Sequence, residues 1–151
     1  MESKSPKDTK KISIKFSKLI KKGATIFLYG EIGAGKTTFV RFLINHLEVE
    51  NNIKKSDILS PTFNIVYDYS IKQLKIFHYD LYRLKNYNDI SELGIFEDSK
   101  NHIRIIEWPE LIKPKPKDRI DITFSYLIKS KSRKIKITGL GKYKNCKFDE
   151  I

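Results

Sequence analysis

The segment GEIGAGKT, residues 30–37, restricts the fold more than any other stretch of this chain. Gly30, Gly35, Lys36 and Thr37 satisfy the spacing G-x-x-x-x-G-K-[ST] of a phosphate-binding loop. Gly30 and Gly35 permit backbone conformations that a Cβ would block. Without side chains in the way, the loop's N–H groups can converge on phosphate oxygens. A helix starting near Lys36 aims its unpaired N–H groups and positive dipole end at the same anion. Lys36 then reaches the β- and γ-phosphates, and Thr37 offers a hydroxyl to Mg²⁺. The four positions coincide by accident in about one chain in a hundred or fewer. The flanks narrow this further. ATIFLY (24–29) is a short apolar run suited to a strand buried on both faces, as parallel strands are. TTFVRFLINHL (37–47) sets Phe39, Phe42, Leu43 and Leu47 on one helical stripe.

The rest of the chain fits an α/β domain. Asp8 and Thr9 are placed to cap a helix running to about Lys22, with Ile12, Phe16, Leu19 and Ile20 on one face. Ile12, Ile14 and Phe16 also alternate as in a strand. Residues 48–57 are polar and loop-like. FNIVYDYS (63–70) and LKIFHYDLYRL (74–84) form a predicted hairpin. One or two short helices are expected over 86–101, around Gly94. HIRIIEW (102–108) is a further strand, and KPKPK (113–117) a stiff linker that cannot continue a helix. RIDITFSYLI and SRKIKITGL close the chain as two alternating strands around KSKS (129–132). The expected organisation is one domain over 9–140, with a loose tail at 1–8 and a basic tail at 141–151.

Thirty basic against 18 acidic residues give a formal charge of +12. That fits an RNA partner. It fits equally well a composition rich in Lys, Ile and Asn throughout, because the cations are spread from Lys4 to Lys147. The lone Cys146 excludes an intrachain disulfide and argues against a cysteine metal site. The polar start MESKSPKDTKK has no signal-peptide h-region, and no apolar run approaches membrane-spanning length. A reducing cytoplasm is the expected location.

A phosphate loop that hydrolyses nucleotide needs carboxylates from other strands. Glu107 follows Ile103, Ile105 and Ile106, and Asp80 follows Ile76, Phe77 and His78. Both are candidates at strand ends, where α/β sheets bind ligands. One division gives Glu107 the metal and Asp80 the attacking water; spacing alone does not decide it. SPTF (60–63) brackets a proline with two hydroxyls. It suits a rigid turn with local hydroxyl bonds better than a switch that senses the γ-phosphate. Trp108 is by default a core or half-buried ring. His78 is more readily structural than catalytic, and His46 and His102 carry no signal.

LYGEIGAGKTTFVRFL, SPTFNIVYDY, HYDLYRL and IIEWPE, in this order, resemble the TsaE (YjeE) family over roughly residues 9 to 140. The resemblance implies a P-loop NTPase-like three-layer fold: a mainly parallel sheet with an antiparallel β portion and flanking helices. It implies an ATP-binding and ATP-hydrolysing subunit, slow alone, needed for threonylcarbamoyl modification of adenosine 37 in tRNAs reading codons that start with A. The implied partners are TsaD and TsaB, whose complex it would reset between turnovers, with tRNA met only through that complex and no membrane involved. By position, Gly33, Ala34, Gly35, Lys36, Thr37 and Thr38 match the family's phosphate loop, and Thr37 and Glu107 its Mg²⁺ ligands. Asp80 matches the acidic residue needed for hydrolysis, Thr62 a switch-like threonine, and Trp108 a tryptophan near the nucleotide. Thr9 and Arg133 match a threonine near the base and the arginine opening the last strand, on more variable flanks. Glu31-Ile32 stands where Asp-Leu is usual, and the tail after Leu140 has no counterpart.

A small-molecule kinase would carry a lid arginine, for which Arg83 and Arg119 lack the context. A GTPase would carry N-K-x-D, which is absent, so ATP is expected over GTP. A nucleotide-gated RNA-binding module is motivated by the charge and the basic strands between Lys113 and Lys147.

Overall fold

In the computed structural model, which describes residues 1–98, 100–128 and 132–148, the described residues form seven strands and three α-helices. They are β1 (Glu2–Ser3), α1 (Pro6–Ser17), β2 (Thr25–Tyr29), α2 (Lys36–Glu50), β3 (Val66–Ile71), β4 (Leu74–Asp80), α3 (Tyr87–Ser91), β5 (His102–Glu107), β6 (Arg119–Leu127) and β7 (Ser132–Leu140). All strands share one sheet in the order β1-β7-β6-β2-β5-β4-β3. The central strands β6, β2, β5 and β4 run parallel. The margins are antiparallel: β3 returns on β4 as the predicted hairpin, and β7 and β1 extend the sheet beyond β6.

The apolar run of β2 sits between β5 and β6 and is buried on both faces. Ile26 and Leu28 point to the side covered by α1 and α2, where Phe16, Phe39, Val40, Leu43 and Ile44 fill one core. Phe27 points to the opposite side, with Tyr79, Leu81, Ile90, Ile95, Ile106 and Ile112. This is the three-layer arrangement. The helical stripe of α2 is turned from the expected one: Val40 and Ile44 are buried beside Phe39 and Leu43, while Phe42 and Leu47 are only partly covered. The helix also runs three residues further, to Glu50, into what the polar composition of 48–57 predicts as loop. Glu48 is buried there, and its carboxylate accepts from Ser56 N–H and Oγ and from Asn45 Nδ2.

The ends of the chain are more engaged than their composition predicts. The Met1 amine donates to Ile135 O at 2.9 Å, and Ser3 lies in register with Arg133 on β7. Helix α1 begins at Pro6 rather than after Asp8. Ser5 is its N-cap and accepts from Asp8 N, while Asp8 accepts from Ser5 Oγ and Lys4 N, a reciprocal capping arrangement with proline in the first turn. At the other end, Tyr143 and Phe148 are buried, and the Phe148 ring lies 5.9 Å from that of Phe16. Residues 149–151 of the expected basic tail, and 129–131 of the expected KSKS turn, lie outside the described residues. Among the described residues no helix is long and apolar enough to cross a membrane.

Candidate functional site

The parallel strands β2, β4 and β5 end together, and the register sets what meets there. Asp80, the last residue of β4, lies beside Glu107, the last of β5, and Glu107 lies beside Leu28 of β2. Gly30 follows β2, so the glycine-rich loop rises at this edge and α2 starts directly after it. Gly30 has φ 139°, and a Cβ on it would stand 2.5 Å from Phe124 O. Gly35 is the left-handed N-cap of α2, at φ 106°. Both positions therefore need glycine for backbone reasons, as the motif demands.

A cavity of about 200 Å³ opens between these elements. The loop side contributes Ile32, Gly33, Lys36 and Thr37, and the strand ends contribute Asp80, Tyr82, Glu107 and Trp108. Ser60 and Thr62 close it from the loop before β3. Thr37 Oγ1 donates to Glu107 Oε1 at 2.9 Å, joining the start of α2 to the end of β5. The same Oε1 lies 2.9 Å from His78 Nε2, and both side chains are buried. Asp80 is tied differently. Its Oδ2 accepts from Thr62 Oγ1 at 2.6 Å and Ser60 Oγ at 2.9 Å, and its Oδ1 from Tyr82 N at 3.0 Å. The two hydroxyls are 2.8 Å apart.

Lys36 is 4 % exposed. Its Nζ donates to Gly30 O at 2.6 Å and to Glu31 O at 3.1 Å, and sits 4.0 Å from the centroid of the Trp108 ring. Burial pulls its pKa below the ordinary lysine value, opposed by the carboxylates of Glu107, Asp80 and Glu110. Trp108 takes a left-handed backbone conformation, φ 59°, which is costly for a large side chain. Its N–H donates to Leu28 O, and its ring also packs on Tyr82, centroids 4.9 Å apart. The strained residue thus turns the chain at the end of β5 and lays the indole under the lysine.

The cavity brings together Gly33, Lys36, Thr37, Thr62, Asp80, Glu107 and Trp108 of the predicted residues. Ala34 is buried beneath the loop, Gly35 caps α2, and Thr38 is half-buried just beyond Thr37. Arg133 stands beside the loop: its side chain is 3.5 Å from where a Gly35 Cβ would be. Its Nη2 donates to Tyr126 OH, which donates to Gly33 O, and its Nε is buried with no partner among the described residues. Thr9 does not reach the cavity. It is buried in α1 with its hydroxyl 2.8 Å from Ser3 Oγ, behind the strand that carries Arg133. Arg83 stacks on Phe63 at 4.0 Å, and Arg119 is held by Asp121 and Pro116 O, so neither lines the cavity as a lid arginine would.

His78, Tyr82 and Tyr126 carry no signal in the sequence for the places they take. His78 meets Glu107 only because β4 pairs with β5, and Tyr126 meets Gly33 only because β6 neighbours β2. Among the described residues no three His, Cys, Asp or Glu side chains cluster as a metal cage. A hydroxyl and one carboxylate, Thr37 and Glu107, suit Mg²⁺, which takes few protein ligands and completes its shell from phosphates and water.

Residues 3–135 match the family described as "Threonylcarbamoyl adenosine biosynthesis protein TsaE". The tRNA threonylcarbamoyladenosine biosynthesis protein TsaE of Rickettsia felis is 42 % identical over 106 residues, covering 70 % of this chain and 60 % of that protein. The protein of the same name from Aquifex aeolicus is 37 % identical over 110 residues, 73 % of this chain and 76 % of its own. The one from Bacillus subtilis is 31 % identical over 119 residues, 78 % and 71 %. The crystal structure of Bacillus subtilis YdiB superposes with a TM-score of 0.77 at 24 % identity, covering 99 % of this chain and 90 % of that one, a likeness of fold. The extent of these matches leaves one assignment: the chain belongs to the TsaE family of threonylcarbamoyl adenosine biosynthesis proteins.

Proposed function

We propose that this chain binds Mg·ATP in the cavity at the strand ends and hydrolyses it, in the service of threonylcarbamoyl modification of adenosine 37 in tRNAs that read codons starting with A. The observation that carries the reading is the 2.9 Å bond between Thr37 and Glu107. It joins a phosphate-loop hydroxyl to a strand-end carboxylate 70 residues away, the pair an NTPase needs beside its phosphates.

In this reading the loop N–H groups and Lys36 hold the phosphates. Thr37 and Glu107 would hold Mg²⁺, which when bound neutralises charge on the phosphate oxygens. Half-buried Trp108, packed against buried Lys36, limits water at that end of the cavity. Asp80 orients the attacking water and accepts its proton, and Thr62 and Ser60 hold Asp80 in place. At about 200 Å³ the cavity is smaller than the roughly 300–1,000 Å³ of whole-ligand sites. It suits a triphosphate, with ribose and base outside it toward Tyr126 and Arg133.

The remaining roles follow from the family. ATP is preferred over GTP, turnover is slow alone, the partners are TsaD and TsaB in the cytoplasm, and hydrolysis resets their complex. tRNA is held chiefly through that complex, and the group transfer is done by the partners. The test is tRNA threonylcarbamoylation reconstituted with and without this chain, with ATP consumption followed in parallel. The proposal expects modification and ATP loss to depend together on the chain and on Lys36. Sustained multiple-turnover modification without the chain, or no Mg·ATP binding with the partners present, would overturn it.

A further inference from the structure

At the opposite end of the sheet lies a second cavity, about 440 Å³, that the nucleotide chemistry does not use. It is enclosed by the segments leading into β2, β5 and β6 and by the residues after β7. The strand β2, Thr25–Tyr29, separates it from the phosphate loop, on the order of 15 Å at about 3.3 Å per residue. Its walls carry Lys22, Lys100, Lys117 and Lys142 around Arg104, with Asp118 as the single acid. The formal charge is five cations less one anion, +4.

The four wall lysines outnumber the one acid beside them. Asp118 Oδ1 accepts the backbone N–H of Lys142 at 2.9 Å, so its carboxylate holds the turn after β7. Among the described residues none of the four lysines has a carboxylate within salt-bridge distance. Arg104 is 2 % exposed and forms the floor, with its guanidinium donating to Thr25 Oγ1 and Gly23 O. A floor arginine held in place under four exposed lysines makes a predominantly positive concave patch, which concentrates field and attracts polyanions.

We propose that this rear cavity takes the phosphodiester backbone of RNA. The chemistry differs from that of the front cavity. A free phosphate or nucleotide is gripped by converging backbone N–H groups, as in the glycine loop. Here the charge is spread over exposed lysine side chains around a depression, which suits successive phosphates of a chain and reads no base. The concavity disfavours a flat lipid surface. That the polyanion is RNA rests on the proposed role in tRNA modification; the charge of the cavity does not. Four phosphate contacts give weak binding, which adds to whatever the partner proteins contribute inside an assembly.

The test is fluorescence anisotropy of a labelled short single-stranded RNA with the full chain, without nucleotide, across a salt series. Each neutralised phosphate contributes about 0.7 to the log–log salt slope for single strands, so four lysines contribute about 2.8. Over a fourfold rise in salt that is a loss of roughly 50-fold in affinity. Replacing Lys22, Lys100, Lys117 and Lys142 together by Ala should flatten the slope by about 2.8 and leave ATP turnover as in the parent chain. Replacing exposed Lys7, Lys11, Lys54 and Lys55, an equal charge change elsewhere, should leave the slope within about one unit of the parent. Equal flattening by both quadruple variants, or no RNA binding at the lowest salt, overturns the proposal. So does tighter binding to phosphatidylserine vesicles or to pyrophosphate than to RNA at matched phosphate. Because RNA binding is read without nucleotide, its failure is distinct from failure of ATP hydrolysis.

Discussion

Under the proposed function, replacing Asp80 by Asn should separate binding from hydrolysis at this site. The change keeps size and shape and removes the charge. Asp80 Oδ2 accepts from both Ser60 and Thr62, while Oδ1 accepts from the Tyr82 amide. An Asn that keeps its oxygen on Tyr82 turns an amide nitrogen toward two hydroxyls that were donating. Hydrogen bonds to a charged acceptor contribute about 1.5–3 kcal/mol each. Ser60 and Thr62 retain each other at 2.8 Å and can turn to accept, which recovers part of the loss. A net cost of about 2 kcal/mol follows, which for a domain of this size lowers Tm by roughly 4–8 °C. The catalytic cost is larger. Loss of a positioned general base slows turnover by about 10²- to 10⁴-fold. Affinity for Mg·ATP should not weaken, because a negative charge near the phosphates has been removed. Single-turnover ATP hydrolysis and calorimetric binding on the same preparation measure both. Turnover within about threefold of the parent chain would refute the base assignment, since a lost base costs far more. A fall in binding that matches the fall in turnover would make Asp80 a ligand-holding residue instead.

Lys36→Ala should abolish hydrolysis and weaken nucleotide binding at least about 10-fold in calorimetry, because a charge-assisted contact worth about 1.5–3 kcal/mol is lost. Burial lowers the Lys36 pKa below 10.5, so in the window between its folded value and 10.5 the unfolded chain holds more protons. The stability of the parent chain relative to Lys36→Met should therefore rise with pH through that window, read by denaturant unfolding; a flat or falling difference would refute it. Gly30→Ala would place a methyl 2.5 Å from Phe124 O at a positive φ. It should cost more than about 2 kcal/mol of stability and lower Tm accordingly, and an unchanged Tm would contradict the loop geometry.

Features carried by short windows of sequence were the legible ones. The strand–glycine loop–helix unit, the hairpin at 63–84 and the strand ending in Glu107 depend on local periodicity and on glycine placement, and they stand where the sequence puts them. Misreadings arose where a local pattern has two solutions. Phe42 and Val40 both fit a helical stripe, and only the orientation of α2 on the sheet selects Val40. Ser5 and Pro6 were a better capping signal than Asp8 and Thr9, but a lysine-rich start obscured it. Contacts across the sheet could not be read at all. His78 against Glu107, and Arg133 through Tyr126 to Gly33, exist only once strand order and register are given. The contact of Thr9 with Ser3, in register with Arg133, is likewise visible only once β1 is paired to β7.

Binding at the front cavity is an exchange, because the groups that would meet phosphate or cation already have partners in the chain. Lys36 is held by Gly30 O and Glu31 O, Thr37 by Glu107, and Thr62 by Asp80. A ligand therefore gains only the difference between new and old bonds, which keeps each net contribution near that of an ordinary hydrogen bond. The two carboxylates also differ in what they are exchanged against. Glu107 shares one oxygen between Thr37 at the head of α2 and buried His78, so a change there is felt by the phosphate loop. Asp80 is tethered to Ser60 and Thr62, and the next residue, Phe63, is 80 % exposed. Movement of that segment would re-aim Asp80 while leaving Thr37 and Glu107 in contact. On the proposed function, Glu107 would then serve the metal and Asp80 the water, and hydrolysis would vary without a matching change in nucleotide affinity.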